Sequence, residues 1–403
     1  MRSEELIKET MRQWAEEAEV PGDLASRALK GGKRVRMLTA AALAGAVAVV
    51  MAGVSLVVPS LLHAERGIAV NPEPTVNVNT TETRTDPESS PPRTLVAAGD
   101  VAVYAYYTWE EVKTSDDMVT VKRTWYLYDR DSDSYQETPW AMLDVAPGGG
   151  RAAVLEKVPA DRVGVLDQAG GEIKWFQTPG AGAAYWSPDG TRLLVTTYSA
   201  DPDETGAWKN GSRTVPPPSR TGWAVVDVAS GEVKTQPVAY QDDRGPVNPR
   251  TDFRWNRDGS LIWEQRATEP HRQYYDLSGK PVAAPPHEDE TYQEANLSPG
   301  GRLLAVSSSD DDAVTAVKDV RTGEVTPIKP VNGHWVEQLA AWADDTRLIA
   351  WACEYDEKDT CVGGEFRNRL VLVTADGGEL VPLTGFRENS QQPGSWTPIF
   401  TRR

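Results

Sequence analysis

The chain has 403 residues and a formal net charge of −17, with 59 Asp and Glu against 42 Lys and Arg. An acidic exterior of this size argues against nucleic-acid backbones or anionic lipid surfaces as partners. Moderate hydrophobicity with 33 Gly, 29 Pro and 14 Trp suits a turn-dense all-β protein with enough chain for a large core.

Residues 1–36 form a leader with eight Lys/Arg and seven Asp/Glu, so the rest of the chain carries about −18. Leu6, Ile7, Met11 and Trp14 fall on one stripe at helical spacing, and Ser3 suits a helix start. "VPGD" (Val20–Asp23) interrupts that helix before a second short one. The layout resembles the cytoplasmic leader of actinobacterial single-pass proteins, without the His and Cys residues of zinc-containing anti-sigma domains. The stripe reads either as a handle for a cytoplasmic partner or as a helix resting on lipid.

Residues 37–62 are expected to be a transmembrane helix. "MLTAAALAGAVAVVMAGVSLVV" (Met37–Val58) runs about 22 residues without a charge, enough to cross a bilayer. Lys30, Lys33, Arg34 and Arg36 precede it and only Arg66 closely follows, which puts the N-terminus in the cytoplasm. The long n-region and the poor cleavage site in "LLHAER" favour a signal anchor over a cleaved signal peptide. The expected location is the cell membrane, single-pass, with the remainder extracytoplasmic. Residues 63–93, rich in Pro, Thr and Ser, are expected to be a disordered linker.

Residues 94–403 repeat. "DVAPGGGRAAV" (Asp144–Val154), "AYWSPDGTRLLV" (Ala184–Val195), "RWNRDGSLIWE" (Arg254–Glu264), "NLSPGGRLLAV" (Asn296–Val306) and "AWADDTRLIAW" (Ala341–Trp351) each run apolar residue, turn, strand. Their spacings of 41, 69, 42 and 45 residues, counted from Pro147, Pro188, Arg257, Pro299 and Asp344, bracket the blade period of about 40–45 residues. The Pro-rich insertion Ser199–Arg220 accounts for the long one. Hairpins such as "WAVVDVASGEVKT" (Trp223–Thr235) and "VKDVRTGEVTPI" (Val317–Ile328) follow, with Asp ending a strand and Gly in the turn. The unit "YWSPDGTRLLVTT" through "GWAVVDVASGEVKTQPV" resembles the PD40, or TolB-like, form of the WD40-type repeat, though the Gly-His and Trp-Asp pairs of true WD40 units are absent. The resemblance implies a six-bladed β-propeller, with seven blades as the alternative. "SWTPIF" (Ser395–Phe400) resembles the opening strand of another unit and is expected to close the ring on the first blade.

Fold alone does not fix function. No G-x-S-x-G, H-E-x-x-H or G-x-x-x-x-G-K-[ST] motif occurs, and His63, His271, His287 and His334 are scattered over different units. No catalytic residue, metal or cofactor is expected, and the chain reads as not an enzyme. "DRDSDS" (Asp129, Asp131, Asp133) loosely resembles a calcium loop but lacks its Gly and closing Glu. Cys353 and Cys361, separated by a polar turn, read as a disulfide in an exported domain. Binding candidates, chosen by position, are Trp208 and Lys209 in the insertion and His334 and Trp335 in another loop. The expected function is an extracytoplasmic propeller recognising a protein or small ligand at its face. The alternative is a propeller enzyme, a lyase or glycoside-active, using channel carboxylates.

Overall fold

The computed structural model describes residues 82–208, 212–238, 250–266, 272–310, 312–354, 367–388 and 391–403. The expected leader, the transmembrane segment and residues 63–81 of the linker lie outside these. No helix among the described residues is long and apolar enough to cross a membrane.

The described secondary structure is all β. In chain order the strands are β1 (Ala97–Ala98), β2 (Val101–Lys113), β3 (Met118–Asp129), β4 (Ser134–Thr138), β5 (Met142–Val145), β6 (Arg151–Leu155), β7 (Ala160–Asp167), β8 (Ile173–Trp186) and β9 (Arg192–Tyr198). There follow β10 (Thr205–Gly206), β11 (Arg220–Asp227), β12 (Val233–Gln236), β13 (Arg254–Trp255), β14 (Ile262–Gln265), β15 (Arg272–Tyr275) and β16 (Pro281–Val282). Last come β17 (Leu303–Ser307), β18 (Thr315–Asp319), β19 (Val325–Pro327), β20 (His334–Trp342), β21 (Arg347–Glu354), β22 (Arg369–Thr374), β23 (Leu380–Pro382) and β24 (Trp396–Arg402).

These strands build antiparallel meanders with a propeller arrangement. Six or seven separate four-stranded sheets are not what forms. Among the described residues there are five hydrogen-bonded sheets, and only four reach the four strands of a blade, against the six or seven expected. The reason lies in β8, whose first half pairs with β7 and whose second half pairs with β9 across a break near Gly180, so two meanders share one seven-stranded sheet.

The sequence repeats translate into two recurrent turns. Where an Asp ends a strand or follows it within two residues, its carboxylate accepts N–H bonds from the turn: Asp227 from Ser230, Asp276 from Ser278, Asp319 from Arg321 and Thr322, Asp376 from Gly378. All four carboxyls lie below the ordinary range: the Arg302 guanidinium for Asp319, the hydroxyls of Ser278 and Thr374 for Asp276 and Asp376, and the Ser230 N–H for Asp227 lead, with the other turn N–H bonds adding to them. The "SPDG" turn works likewise, with Asp189 accepting from Thr191.

Apolar side chains fill the wedges between sheets. Trp186 and Trp342 are buried and Trp255 half-buried. The indoles of Trp255 and Trp342 donate across to the preceding unit, at Tyr185 O (3.0 Å) and Asn296 O (2.9 Å). An indole thus supplies apolar area and a satisfied polar tip at once.

The C-terminal strand β24 pairs with β2 from Val101↔Arg402 to Thr108↔Trp396, so the end of the chain is built into the first sheet. At the same seam Gly99 takes φ +53°, and a Cβ there would run into the Ala343 carbonyl. The expected linker ends sooner than residue 93. Asp86 N–H bonds Leu383 O, Ser89 O accepts from Gly385, and the Trp396 indole donates to Ser90 Oγ at 2.8 Å. Residues 82–93 are therefore pinned along the seam between the first and last sheets.

Candidate functional site

The meanders put the tight turns at one end of the sheets, and the β2–β3, β9–β11 and β21–β22 connections, with the segments leading into each innermost strand, at the other. Polar chemistry collects at this loop end and along the innermost strands.

The insertion after β9 does not project as a free loop. Its strand β10 crosses to pair with β3 of the first sheet, at Thr205↔Val119 and Gly206↔Met118. The strap is fastened by Thr120 Oγ1 to Asp201 (2.7 Å), Thr114 Oγ1 to Glu204 (2.8 Å) and Arg213 to Glu111 (2.6 Å). Its central anchor is the ion pair of Asp203 with Arg250, both side chains 2% exposed. Arg250 also donates to Gly182 O and to Asp252, which accepts the hydroxyls of Tyr198 (2.7 Å) and Tyr185 (3.0 Å). Burial works against an ionised Asp252, but Arg250, Arg254 and the two hydroxyls outweigh it and hold its carboxyl below the ordinary range.

A second group of side chains continues from here across the innermost strands. The Arg254 guanidinium carbon sits over the Tyr185 ring, 3.6 Å from its centroid. Electrostatically it is coupled to Tyr185, Asp252, Asp144 and Glu294. Glu294 is coupled in turn to Arg387, and Arg387 to Glu337 and Tyr107. These residues come from several successive units of the chain, some on strands and some, like Glu294 and Arg387, on the connections between them. Glu294 is solvent-accessible, yet burial raises its carboxyl above the ordinary range.

Asp144 accepts the backbone N–H of Trp186 at 2.8 Å, and burial pushes its carboxyl up to about 6. Burial likewise raises Glu337, which accepts from Asn368 Nδ2 at 2.9 Å. Arg387 is stacked 3.4 Å from the Trp351 centroid, donates from Nε to Asn368 Oδ1 and from Nη1 to Trp396 O, and is lowered by burial to about 9. This group therefore sets the Arg254 and Arg387 guanidinium groups among carboxyls that burial raises above their ordinary range.

The residues chosen from sequence sit at the rim. Trp208 is 60% exposed on the strap, with the Arg213 guanidinium 4.7 Å from its ring centroid. Lys209 lies outside the described residues. His334 opens β20, donates from Nδ1 to Asn332 O and stacks on Phe386, whose ring also faces Arg367 and Arg369. Trp335 opposes Cys353 across the β20–β21 pair. No contact among the described residues joins Trp208 to His334 or Trp335. Cys353 is disulfide-bonded, and Cys361 lies outside the described residues.

Of the acidic turn "DRDSDS", Asp133 is held by Arg84 (2.8 Å) and the Tyr128 hydroxyl, and Asp129 accepts from Asp131 N–H and Ser132 Oγ. Its oxygens serve the turn and the seam. No group of three or more His, Cys, Asp or Glu among the described residues is placed to hold a metal ion. A shallow groove of about 400 Å³ between Ser298, Arg302, Asp345 and Thr346 lies at the turn end, away from the charged passage.

The axis residues went unnoticed in the sequence, although a signal exists. Aligned on the turns, the third residue before Pro147, Pro188 and Arg257 is Asp144, Tyr185 and Arg254, while the next position is apolar, Val145, Trp186 and Trp255. A polar column of changing chemistry beside a constant apolar one is what an innermost strand facing a channel should show.

No known family profile matches the chain, and no curated protein matches it. Solved structures do. A TolB from Agrobacterium tumefaciens matches at 13% identity, covering 74% of this chain and 98% of that one, with a TM-score of 0.37. The β-propeller domain of the Trilobed protease from Pyrococcus furiosus matches at 13%, covering 77% and 99%, with a TM-score of 0.36. An acylaminoacyl peptidase from Pyrococcus horikoshii matches at 14%, covering 74% of this chain but 47% of that one, with a TM-score of 0.39. This chain thus spans about half of that peptidase. The overlaps concern the propeller fold. With peptidases among the matches, the expectation that this chain is not an enzyme does not stand and is withdrawn.

Proposed function

We propose that the chain is a ligand-recognition propeller that takes its ligand at the loop-end mouth of the central passage, and that a membrane anchor over residues 37–62 presents it outside the cell. What supports this reading is a set of polar and charged side chains from successive units, Asp144, Tyr185, Arg254, Glu294, Glu337 and Arg387, linked electrostatically and including the Arg254 guanidinium over the Tyr185 ring. Groups held on rigid strands around a concavity suit selective binding. We read Cys361, the only other cysteine in the sequence, as the partner of Cys353. An oxidised cysteine accords with export. A ligand or protein at the rim, near Trp208 or Trp335, would reach the passage from this end, and coupling to a cytoplasmic partner of residues 1–36 belongs to the same proposal.

The test is capture of material from an extracytoplasmic extract by the full-length chain in detergent. Arg254→Met should abolish specific capture, while Val325→Asp, at an exposed position on a turn-end strand, should leave it unchanged. Equal capture by both variants would remove the reading.

One observation favours a second reading, an enzyme of the lyase or glycoside-active class. Burial pushes the Asp144 carboxyl up to about 6 and also raises those of Glu294 and Glu337, and a carboxyl with a raised pKa suits acid–base work. Turnover of a glycoside or polyuronate panel that disappears in Asp144→Asn would establish it.

A further inference from the structure

The β2–β3 ladder outruns its neighbours in the first sheet. β24 stops opposite Thr108 and β4 opposite Trp125, while β2 and β3 stay paired from Trp109↔Arg123 out to Lys113↔Val119. Directly opposed residues share a face, so Trp109, Glu111, Val121 and Arg123 point the same way, with Tyr107 and Trp125 continuing the row inward. The strap bears on this face through Arg213, which reaches Glu111 at 2.6 Å and Thr205 Oγ1 at 3.0 Å.

Arg123 breaks the usual rule for buried charge. Only 6% exposed, it makes no hydrogen bond or ion pair among the described residues, and its Nε is sealed without a partner. Its guanidinium carbon lies 5.0 Å from the Tyr107 ring centroid. Lys122, the next residue, points to the other, more exposed face and has Glu110 at 2.6 Å. Burial strongly disfavours an unpaired charge, so this pairing is the reverse of what stability asks. The buried arginines nearby obey the rule: Arg250 is locked to Asp203 and Asp252, and Arg220 to Glu264 at 2.5 Å.

Two more polar tips in this row are uncommitted. The Tyr107 hydroxyl and the Trp109 indole N–H have no partner among the described residues, and neither they nor the Arg123 Nη groups are sealed from water. Each of these groups can donate, and the carboxylate on the same face, Glu111, is taken by Arg213. An oxyanion, which only accepts, completes such a set, and a guanidinium fork takes two of its oxygens at once.

We propose that Arg123 binds a carboxylate or phosphate group of the ligand, in a site between the β2–β3 ladder and the strap with Trp109 and Tyr107 beside it. The proposal rests on the loop-end reading above and gives its ligand a charge and a place.

The experiment follows thermal unfolding of the full-length chain in neutral detergent, with sodium phosphate in one arm, sodium succinate in another, and sodium chloride at matched ionic strength. One of the two oxyanions, well above its Kd, should raise Tm by roughly 2–4 °C over chloride. Arg123→Met should lose that rise and, with no charge left to bury, melt no lower than the wild type in chloride. A structural arginine would not combine lost binding with kept stability. Arg123→Lys keeps the charge without the fork and should retain part of the rise. The arm that responds separates phosphate from carboxylate. The site is wrong if neither oxyanion exceeds chloride, or if Arg123→Met responds as the wild type does. It is equally wrong if Arg123→Met melts several degrees lower in chloride, since the arginine is then structural. Failure of the loop-end reading is distinguishable, because that reading is tested by capture with Arg254→Met, outside this site. An anion response that depends on Arg123 would stand even if capture did not depend on Arg254.

Discussion

At one end of the sheets the connections are short turns of the same two designs, repeated with the sequence; at the other they vary from the short 156–159 to the long crossing strap 199–219. The turn end is stitched circumferentially by single hydrogen bonds. Arg151 donates to Gly190 O (3.2 Å), Arg192 to Gly259 O (2.9 Å) and Gly148 N–H to Arg402 O (2.8 Å), each linking one unit to the next. Arg151 and Arg192 also sit over Trp186 and Trp255, at 5.1 and 4.9 Å. The loop end is held instead by buried charge, with Arg250 between Asp203 and Asp252 and Arg220 on Glu264. The difference teaches where the molecule can change cheaply. Many small bonds tolerate the loss of one, whereas a buried ion network fails when one partner is removed.

The sharpest way to break this comparison is Arg250→Met. It leaves Asp203 and Asp252 buried without their cation, and a loss of about 3–5 kcal/mol in denaturant unfolding is expected, with the strap becoming a protease site. A cost near that of a turn-end variant would mean the strap is not anchored there. Arg151→Ala and Arg192→Ala come next. Each removes one interunit hydrogen bond and a cation–π contact and should cost about 1–2 kcal/mol, adding together because the two sites share no partner.

Asp144→Asn sharpens the electrostatic side through pH. The carboxyl's folded value of about 6 is above its ordinary value, so the folded state holds the proton more firmly than the unfolded chain. Wild-type stability from this group is thus favourable at low pH and is lost as pH rises through about 6. The variant carries no such cost, so its Tm relative to wild type should climb between pH 4 and pH 7, by a few degrees on the order expected for a domain of this size. A Tm difference that is flat with pH would show Asp144 to be better solvated than its surroundings imply. The smallest effect belongs to Val325→Asp, on an exposed strand residue, where a change within about 0.5 kcal/mol is expected.

The turn end was legible in the sequence because it is made of local signals. Asp-to-amide caps, Gly at positive φ and apolar strands of regular spacing all act within a few residues. The closing of the chain was legible too, since "SWTPIF" carries the register of an opening strand and β24 takes that place against β2. The loop end was not, because its organisation depends on partners distant in sequence. Asp203 meets Arg250 across 47 residues, and Trp396 meets Ser90 across 306. A Pro-rich insertion reads as an open loop until its short strand is found beside Val119. The sheet count was missed for a related reason: nothing local in "IKWFQTPGAGAAYW" shows that one strand serves two meanders.

The most direct test of the account sets the two ends against each other in one assay. Capture of extract material by the full-length chain is measured for Arg254→Met, in the charged passage, and for Arg192→Ala, in the turn-end belt, after both are shown folded by far-UV circular dichroism. The account predicts that capture is lost with Arg254→Met and kept with Arg192→Ala. Capture that survives the first and fails in the second would place recognition at the turn end and contradict it.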